Sequence, residues 1–572
     1  LCFAGKWRIL AGVYDFFRSM ATGMIKSYFS MLKQEFSGYS AKSFSKDLMA
    51  GITVAAVALP LALAFGVSSG ADAAAGLITA IIAGVVIGSL SGAFFQISGP
   101  TGAMAAILIS IVAKYQMQGV FLATLMAGVF MLLAGVLRLG KLTSYIPAPV
   151  ITGFTSGISI LIAAGQLDNL FGVKSVGEDV IERIGSYFSL GFHPNLYAIC
   201  IGLFVILFMI AYPKKWNAVV PGSLIAIILA TLASSLLNFD IARVGEIPKT
   251  LLPATRLNLN DIDVHVLLKL ASPAFSIAML GMIESLLCAS SASRMTGTSF
   301  NSDQELVAQG IGNIVLPFFG GIPATAAIAR TSVAVKSGAV TRLTGIVHAL
   351  VLVVSMFLLA PVMSSIPLAA LAGVLMVTAF RMNEWSAIRY MFSRKFKGAM
   401  LKYFVTMAAT VIFDLTTAIA LGVLVALLLL VSRLSKLEIN IDAVDANRLS
   451  IDDEEISRRY GNARVVYIAG AMIFANTSAV EGIPASIPAD CDAVFFSMRG
   501  VSYLDVSCAQ AFEGVILALR RRGIRVGCCG LSNETRRTME RSGILALIGE
   551  ENVFWSIDRA LTQDCDCAAE EA

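Results

Sequence analysis

Charge is what this chain has least of. Only 14% of its residues are Asp, Glu, Lys or Arg, against 57% hydrophobic. A soluble domain usually carries about 25% charged residues. A fold in water needs a mostly polar skin, so a wholly soluble protein is excluded. A strong bias of sign is missing too. The 43 Lys and Arg against 38 Asp and Glu leave a net charge of +5, which gives no reason to expect a nucleic-acid partner. A phosphate-binding Gly-rich loop ending in Lys-Ser or Lys-Thr is absent, which argues against an ATP-driven pump. No constellation of an enzyme stands out. The start of the chain has no long apolar run followed by a small-residue cleavage site, so it does not read as a signal peptide. Leu1 stands where Met is usual, so the start is trimmed or lies elsewhere, with Met20 and Met24 as candidates. Lys6, Arg8, Arg18, Lys26, Lys33 and Lys42 among scattered aromatics make residues 1–46 an amphipathic cytoplasmic lead-in. Six of the nine cysteines, Cys491, Cys508, Cys528, Cys529, Cys565 and Cys567, lie near the C-terminus. A cytoplasmic setting keeps such thiols reduced. Cys565-Asp566-Cys567 has no second ligand pair nearby, so neither a metal nor a cofactor is expected.

What is present is a series of apolar runs close to the length that crosses hydrocarbon as helix. Fourteen spans are predicted, at 48–66, 74–92, 101–113, 119–137, 147–165, 196–212, 218–237, 273–291, 303–318, 325–336, 342–361, 366–380, 400–414 and 416–433. Positive residues collect in alternate connections: Arg138 and Lys141, Lys214 and Lys215, Arg294, Lys336 and Arg342, then Arg381, Arg389, Arg394, Lys395 and Lys397. They share a side with the basic N-terminus, and the positive-inside rule makes that side cytoplasmic. The loop 238–272 breaks the trend, but it is long and its bases are balanced by acids including Asp240, Glu246, Asp261 and Asp263. An even count returns the C-terminus to the cytoplasm. Beyond 47–436 the sequence predicts a polar linker at 437–461, a soluble α/β domain at 462–562 and a tail at 563–572. Strands are expected at Val465–Ile468, Val494–Ser497 and Ile524–Cys529, with helices at Ser507–Arg521 and Glu534–Ser542. Strands alternating with helices imply a helix-covered sheet.

Two spans are broken alike. The third opens with Ser98-Gly99-Pro100-Thr101-Gly102, and the tenth with Gly320-Gly321-Ile322-Pro323-Ala324-Thr325. They hold the same place in each half of a seven-plus-seven arrangement. Such a pair is the best sequence pointer to a transporter site built from inverted repeats. A helix that begins inside the membrane presents unpaired amide N–H groups and a positive dipole end, which suits an anion. Gly permits close backbone approach, and Pro suits a first helical turn. An ordinary kinked helix and a loop are the plainer alternative. Arg330 lies seven residues after Pro323. It either adds positive potential to this site or snorkels to the end of a short helix. Glu284 is the one acid in Met279–Leu287. Burial penalises an ionised carboxylate, so Glu284 can take a proton on one side and release it on the other, or form a structural ion pair with Arg330. Asp414 reads as a helix cap, His348 as a packed residue, and Gln96 and Gln166 as possible lining of a polar path.

Several of these stretches resemble the sulfate permease (SulP) family of anion transporters. They are Asp47–Val54, Ser98–Thr101, Tyr145–Pro147, Gly153–Gly157, Gly281–Leu287, Gly320–Thr331 and Phe413–Gly422. The likeness covers residues 42–560. It implies an all-α membrane domain of fourteen helices in a 7+7 inverted repeat, arranged as core and gate, with elevator-type movement of the core. It implies a substrate site between the starts of the third and tenth helices, which covers Gly99, Pro100, Thr101, Gly102, Thr325, Ala326, Ala327, Ile328 and Arg330. It also implies a C-terminal STAS domain and a homodimer. Within the family, Ile283–Cys288 and Ala324–Arg330 are similar to bacterial proton-coupled C4-dicarboxylate transporters. That likeness makes Glu284 the proton-coupling acid, with sulfate (or bicarbonate) as the alternative substrate within the family. Sodium-coupled bicarbonate members carry Asp in place of Glu284. STAS proteins that regulate sigma factors carry a phosphorylatable Ser where this chain has Val506, so no phosphoswitch is expected there. Ser507 reads as a helix cap. The rival functions are a nucleobase permease of the same architecture and a membrane-anchored signalling protein.

Overall fold

The computed structural model describes residues 26–141, 146–177, 180–213, 220–258, 264–413, 415–444 and 461–561, with Gly23 and Trp216. Lys6, Arg8, Arg18, Met20, Met24, Tyr145, Lys214, Lys215, Asp261, Asp263, Asp414, Cys565 and Cys567 lie outside the described residues, and so do 445–460 of the expected linker. The chain divides into two compact units, residues 1–423 and 424–572.

The first unit is helical. Its main helices are α1 (Ala41–Ser68), α2 (Ala73–Leu90), α3 (Gly102–Val136), α4 (Ala148–Gly165), α5 (Leu196–Ala211), α6 (Gly222–Leu236) and α7 (Val264–Thr296). They continue with α8 (Ser302–Val315), α9 (Ile328–Lys336), α10 (Leu343–Leu358), α11 (Leu368–Met382), α12 (Lys397–Ile412) and α13 (Leu415–Leu434). Helix α3 is interrupted at Gln116, where φ is 56° and ψ −167°. The break restores the third and fourth predicted spans as separate pieces, so each of the fourteen predicted spans has its helix among the described residues. Side chains capture the free amides at several helix starts, with Asp72 accepting from Ala75 at 2.7 Å and Asn301 from Gln304 at 3.1 Å. Elsewhere a Pro precedes the helix, as Pro147, Pro221 and Pro367 do. Among the described residues, six helices are long and apolar enough to cross a membrane alone.

Packing sorts the helices into two groups. Helices α1, α2, α3, α7, α8, α9 and α10 pack on one another, with α8 and α7 on α3 and α10 on α1 and α2. Helices α4, α5, α6, α11 and α12 form the other group, held by α12 on α4 and α11 on α5. The groups meet along α3 with α4, and along α1 with α11 and α6.

An N-terminal clasp closes the first group. Asp47, fully buried, accepts from the amides of Val340 at 2.7 Å and Thr341 at 3.0 Å. It also accepts from the hydroxyls of Thr341, Thr344 and Tyr39. Beside it, Arg342 forms a buried ion pair with Glu35 at 2.7 Å and donates to the Ser89 carbonyl. Both carboxylates therefore hold the turn that follows α9.

The second unit carries a five-stranded sheet, in the order β3 (Glu438–Ala443), β4 (Arg464–Met472), β5 (Ala493–Leu504), β6 (Arg525–Cys529), β7 (Val553–Phe554). The pair β3–β4 is antiparallel and the others are parallel. Val466, Ile468, Val494 and Phe496 turn one face toward Phe512, Val515, Ile516 and Leu519 of α14 (Val506–Arg521), and the Phe496 and Phe512 rings meet edge-on at 4.9 Å. A further helix, α15 (Asn533–Arg541), follows β6. Two expectations are corrected here. The first strand, β3, lies inside the stretch read as linker, because an edge strand with an exposed pattern lacks the apolar signal of a buried one. The cap of α14 is Asp505, which accepts from Cys508 at 2.8 Å, so Ser507 sits within the helix. Burial pushes the Cys529 thiol up to about 12, and Cys528 higher still. Thiols that stay protonated are poor nucleophiles.

Candidate functional site

The two broken spans cross. Their lead-ins form a two-stranded antiparallel ribbon, β1 (Ser98–Gly99) with β2 (Thr325–Ala326), in which Ser98 faces Ala326 and Gly99 faces Thr325. Each strand runs straight into a half-helix. After β1 comes Pro100, then Thr101 as the cap of α3, whose hydroxyl accepts from the Met104 amide. After β2 comes Ala327, then α9. A nine-residue helix spans about 14 Å, roughly half of the hydrocarbon thickness. This differs from the sequence expectation in one respect. Neither proline occupies a first helical turn. Pro100 precedes the cap, and Pro323 lies five residues before Ile328, where it starts an extended stretch that pairs across the ribbon.

The two starts are furnished differently. Thr101 Oγ1 donates to a carboxylate oxygen of Glu284 at 3.0 Å. Ala327 offers no side-chain cap, so the first amides of α9 keep their capacity to bind something else. This end is open, with Ile328 47% exposed and Ala329 exposed beside it. Arg330 points inward. It is 1% exposed, and its Nη2 donates to the Pro100 carbonyl at 3.0 Å. Its Nε and Nη1 have no partner. A Cβ on Gly99 would lie 2.5 Å from Nη1, so glycine is what lets the guanidinium reach the ribbon. Arg330 therefore does not snorkel, and among the described residues it pairs with no acid, Glu284 included.

Other residues hold this arrangement and were not singled out from the sequence. Ser285 stands one residue after Glu284. Its hydroxyl contacts Thr325 Oγ1 at 2.9 Å and accepts from the Ala326 amide at 3.2 Å. Thr331 Oγ1 accepts from the Ile97 amide at 3.0 Å, and Ala327 donates to the Ile97 carbonyl. Gln96, read as lining a polar path, is buried and donates to the Ser285 carbonyl at 2.9 Å. Gln166 is buried at the end of α4, one turn beyond Ile162, whose side chain lies against Gly102. His348 is fully buried within α10. Small hydroxyl residues in an apolar helix carry little signal of their own, and what each one reaches depends on a partner between 40 and 234 residues away. Among the described residues no group of His, Cys, Asp and Glu could hold a metal ion.

Two discontinuous helices meeting at a crossed ribbon inside a multi-span bundle define a carrier-type membrane protein. Residues 44–409 match the sulfate permease family and residues 456–560 the STAS domain. The chain belongs to the sulfate permease family of anion transporters and is a multi-pass membrane protein with a C-terminal STAS domain. One relative is the Bacillus subtilis protein YvdB, provisionally named a sulfate transporter. It is 33% identical over 540 residues, covering 91% of this chain and 97% of its own length. Another is the bicarbonate transporter BicA of a Picosynechococcus species, 32% identical over 536 residues and covering 90% and 94%. Among solved structures, the transmembrane domain of a cyanobacterial BicA aligns with a TM-score of 0.61 at 33% identity, over 66% of this chain and 98% of that one. Murine Slc26a9 aligns with a TM-score of 0.78 at 17% identity, over 94% and 97%, which is a likeness of fold. The relatives carry sulfate and bicarbonate in their names, and the finer likeness to C4-dicarboxylate transporters is not among them.

Proposed function

We propose that the chain carries a small dianion, a C4-dicarboxylate or sulfate, into the cell together with a proton. It acts from the cytoplasmic membrane with both termini inside and works as a homodimer. The observation that carries this reading is the unpaired charge of Arg330 behind two helix starts. Each start contributes about half a positive charge. With Arg330 the site holds about two, which a dianion neutralises. The amides of Gly102, Ile328 and Ala329 present the donors. Gly99 and Pro100 bring the Arg330 charge up behind them, and Thr325, Ala326 and Ala327 set the α9 start in place. Glu284 decides whether that balance exists. Ionised, and accepting from Thr101, it cancels about one charge and repels the anion. Protonated, it leaves the site attractive to a dianion. Movement of the α3–α9 group against the α4–α12 group would then deliver anion and proton together.

The same bookkeeping favours a second reading. A site with Glu284 ionised balances a monoanion without any proton, and BicA, a bicarbonate transporter by name, is 32% identical over most of the chain. Uptake of labelled succinate, sulfate and bicarbonate into proteoliposomes, with and without an inward proton gradient, separates the two. Proton-stimulated succinate or sulfate uptake supports the first. Bicarbonate uptake indifferent to the proton gradient overturns it in favour of the second.

A further inference from the structure

Helix α8 touches none of the exposed amides of the site, yet one of its faces carries Glu305, Gln309 and Asn313 at intervals of four residues. All three are 0% exposed. Four-residue spacing places them one above another along the helix, and each rung holds a different piece of chain. Glu305 accepts from the hydroxyl of Ser91 and from the Gly92 amide at 3.0 Å, just after α2. Gln309 Nε2 is shared between Glu305 Oε1 at 2.8 Å and the Ser98 hydroxyl of β1 at 3.0 Å. Asn313 grips a single residue with both ends of its amide. Its Nδ2 donates to the Ala324 carbonyl and its Oδ1 accepts from the Ala324 amide, each at 2.9 Å.

Ser98 leads into α3 and Ala324 into α9. Adjacent rungs of one helix thus hold the lead-ins of both half-helices. The helix is itself fixed. A Cβ on Gly310 would lie 2.5 Å from the Leu132 amide nitrogen, and one on Gly128 would lie 2.6 Å from that of Ile314, so α8 and α3 touch backbone to backbone. A rod without play, bearing one rung for each lead-in, sets how far apart and at what height the two helices start. Polar side chains buried this deeply cost stability unless satisfied; here their partners include the segments that need placing, while Gln309 Oε1 has none.

We propose that Glu305, Gln309 and Asn313 form a positioning ladder that sets the register of the two half-helix starts, so that it governs anion affinity rather than the rate of movement. The affinity part rests on the anion site proposed above, while the register part does not. The test uses full-length protein in proteoliposomes, with Ser98→Ala, Gln309→Ala and the double variant. Each single change raises KM for the transported anion about tenfold, the factor of one lost buried hydrogen bond, with Vmax within about twofold. The double variant matches Gln309→Ala alone, because that change already cuts the Ser98 contact together with the one to Glu305. Hydrogen exchange of the same proteins, without any anion, becomes faster at 98–104 and stays unchanged in the STAS domain. Asn313→Ala does the same at 324–331. Ser98→Ala alters no residue of α8 and keeps the test available if the Gln309 variant folds poorly. Additive KM effects, or a fall in Vmax at constant KM, would overturn the affinity claim. Unchanged exchange at both lead-ins would overturn the ladder itself, whatever the anion proves to be.

Discussion

The two half-helix starts are alike in backbone and opposite in chemistry. The α3 start is buried, capped by Thr101 and joined through it to an acid. The α9 start is uncapped and open, with a permanent cation behind it. Inverted repeats supply two equivalent half-helices, and the side chains then make them unequal. One end can change its charge by taking a proton. The other cannot, because a guanidinium does not deprotonate in proteins. A proton-coupled carrier of the kind proposed needs both properties, a constant attraction for the anion and a variable term that a second ion controls.

Removing the constant term should have the largest effect. Arg330→Met is expected to lower kcat/KM for uptake by about a hundredfold or more, as loss of a charge-assisted contact does. The same variant should be as stable as the parent or more so, since an unpaired buried charge is itself costly. A thermal melt in detergent beside the uptake assay checks both, and a destabilised Arg330→Met would show that the charge serves the fold. Next comes the variable term. Glu284→Gln should keep anion exchange and lose stimulation by the proton gradient. Uptake by the parent should fall as external pH rises and should become flat with pH in the variant. A variant that retains the pH response moves proton coupling to another group. Thr101→Ala removes the cap and the link to Glu284, for about 1 kcal/mol, and should raise KM several-fold, with Thr101→Ser restoring it. The smallest change makes the two starts more alike. Ala327→Ser gives α9 the cap it lacks, and its hydroxyl competes with the anion for the first amides. A two- to threefold rise in KM is expected on that ground, and an unchanged KM would mean that these amides do not meet the anion.

Much of this was legible in the sequence because the signals are local. Apolar length gave the spans, including the split at Gln116, and repeated Gly and Pro marked the paired breaks. Glu284 and Arg330 stood out as charges where charge is expensive. The ribbon between Ser98–Gly99 and Thr325–Ala326 was not legible, since two-residue strands have no periodicity and pair across more than two hundred residues. The start of α9 was placed early for the same reason, as an extended lead-in of small residues resembles a first turn. Glu305, Gln309 and Asn313 look like the polar stripe of an ordinary amphipathic helix, and only the packing shows that the stripe faces inward.

The clasp made by Asp47 and Glu35 has a consequence for how motion could be watched. Glu35 precedes α1 and Asp47 lies in its second turn, and both grip the turn just after α9. The helical residues 26–35, which carry Glu35, are thereby tied to the turn behind the α9 half-helix. A fluorophore or spin label placed near residue 29, on the exposed Phe29, would therefore act as a pointer attached to the proposed binding site, reporting any travel of it without touching the anion.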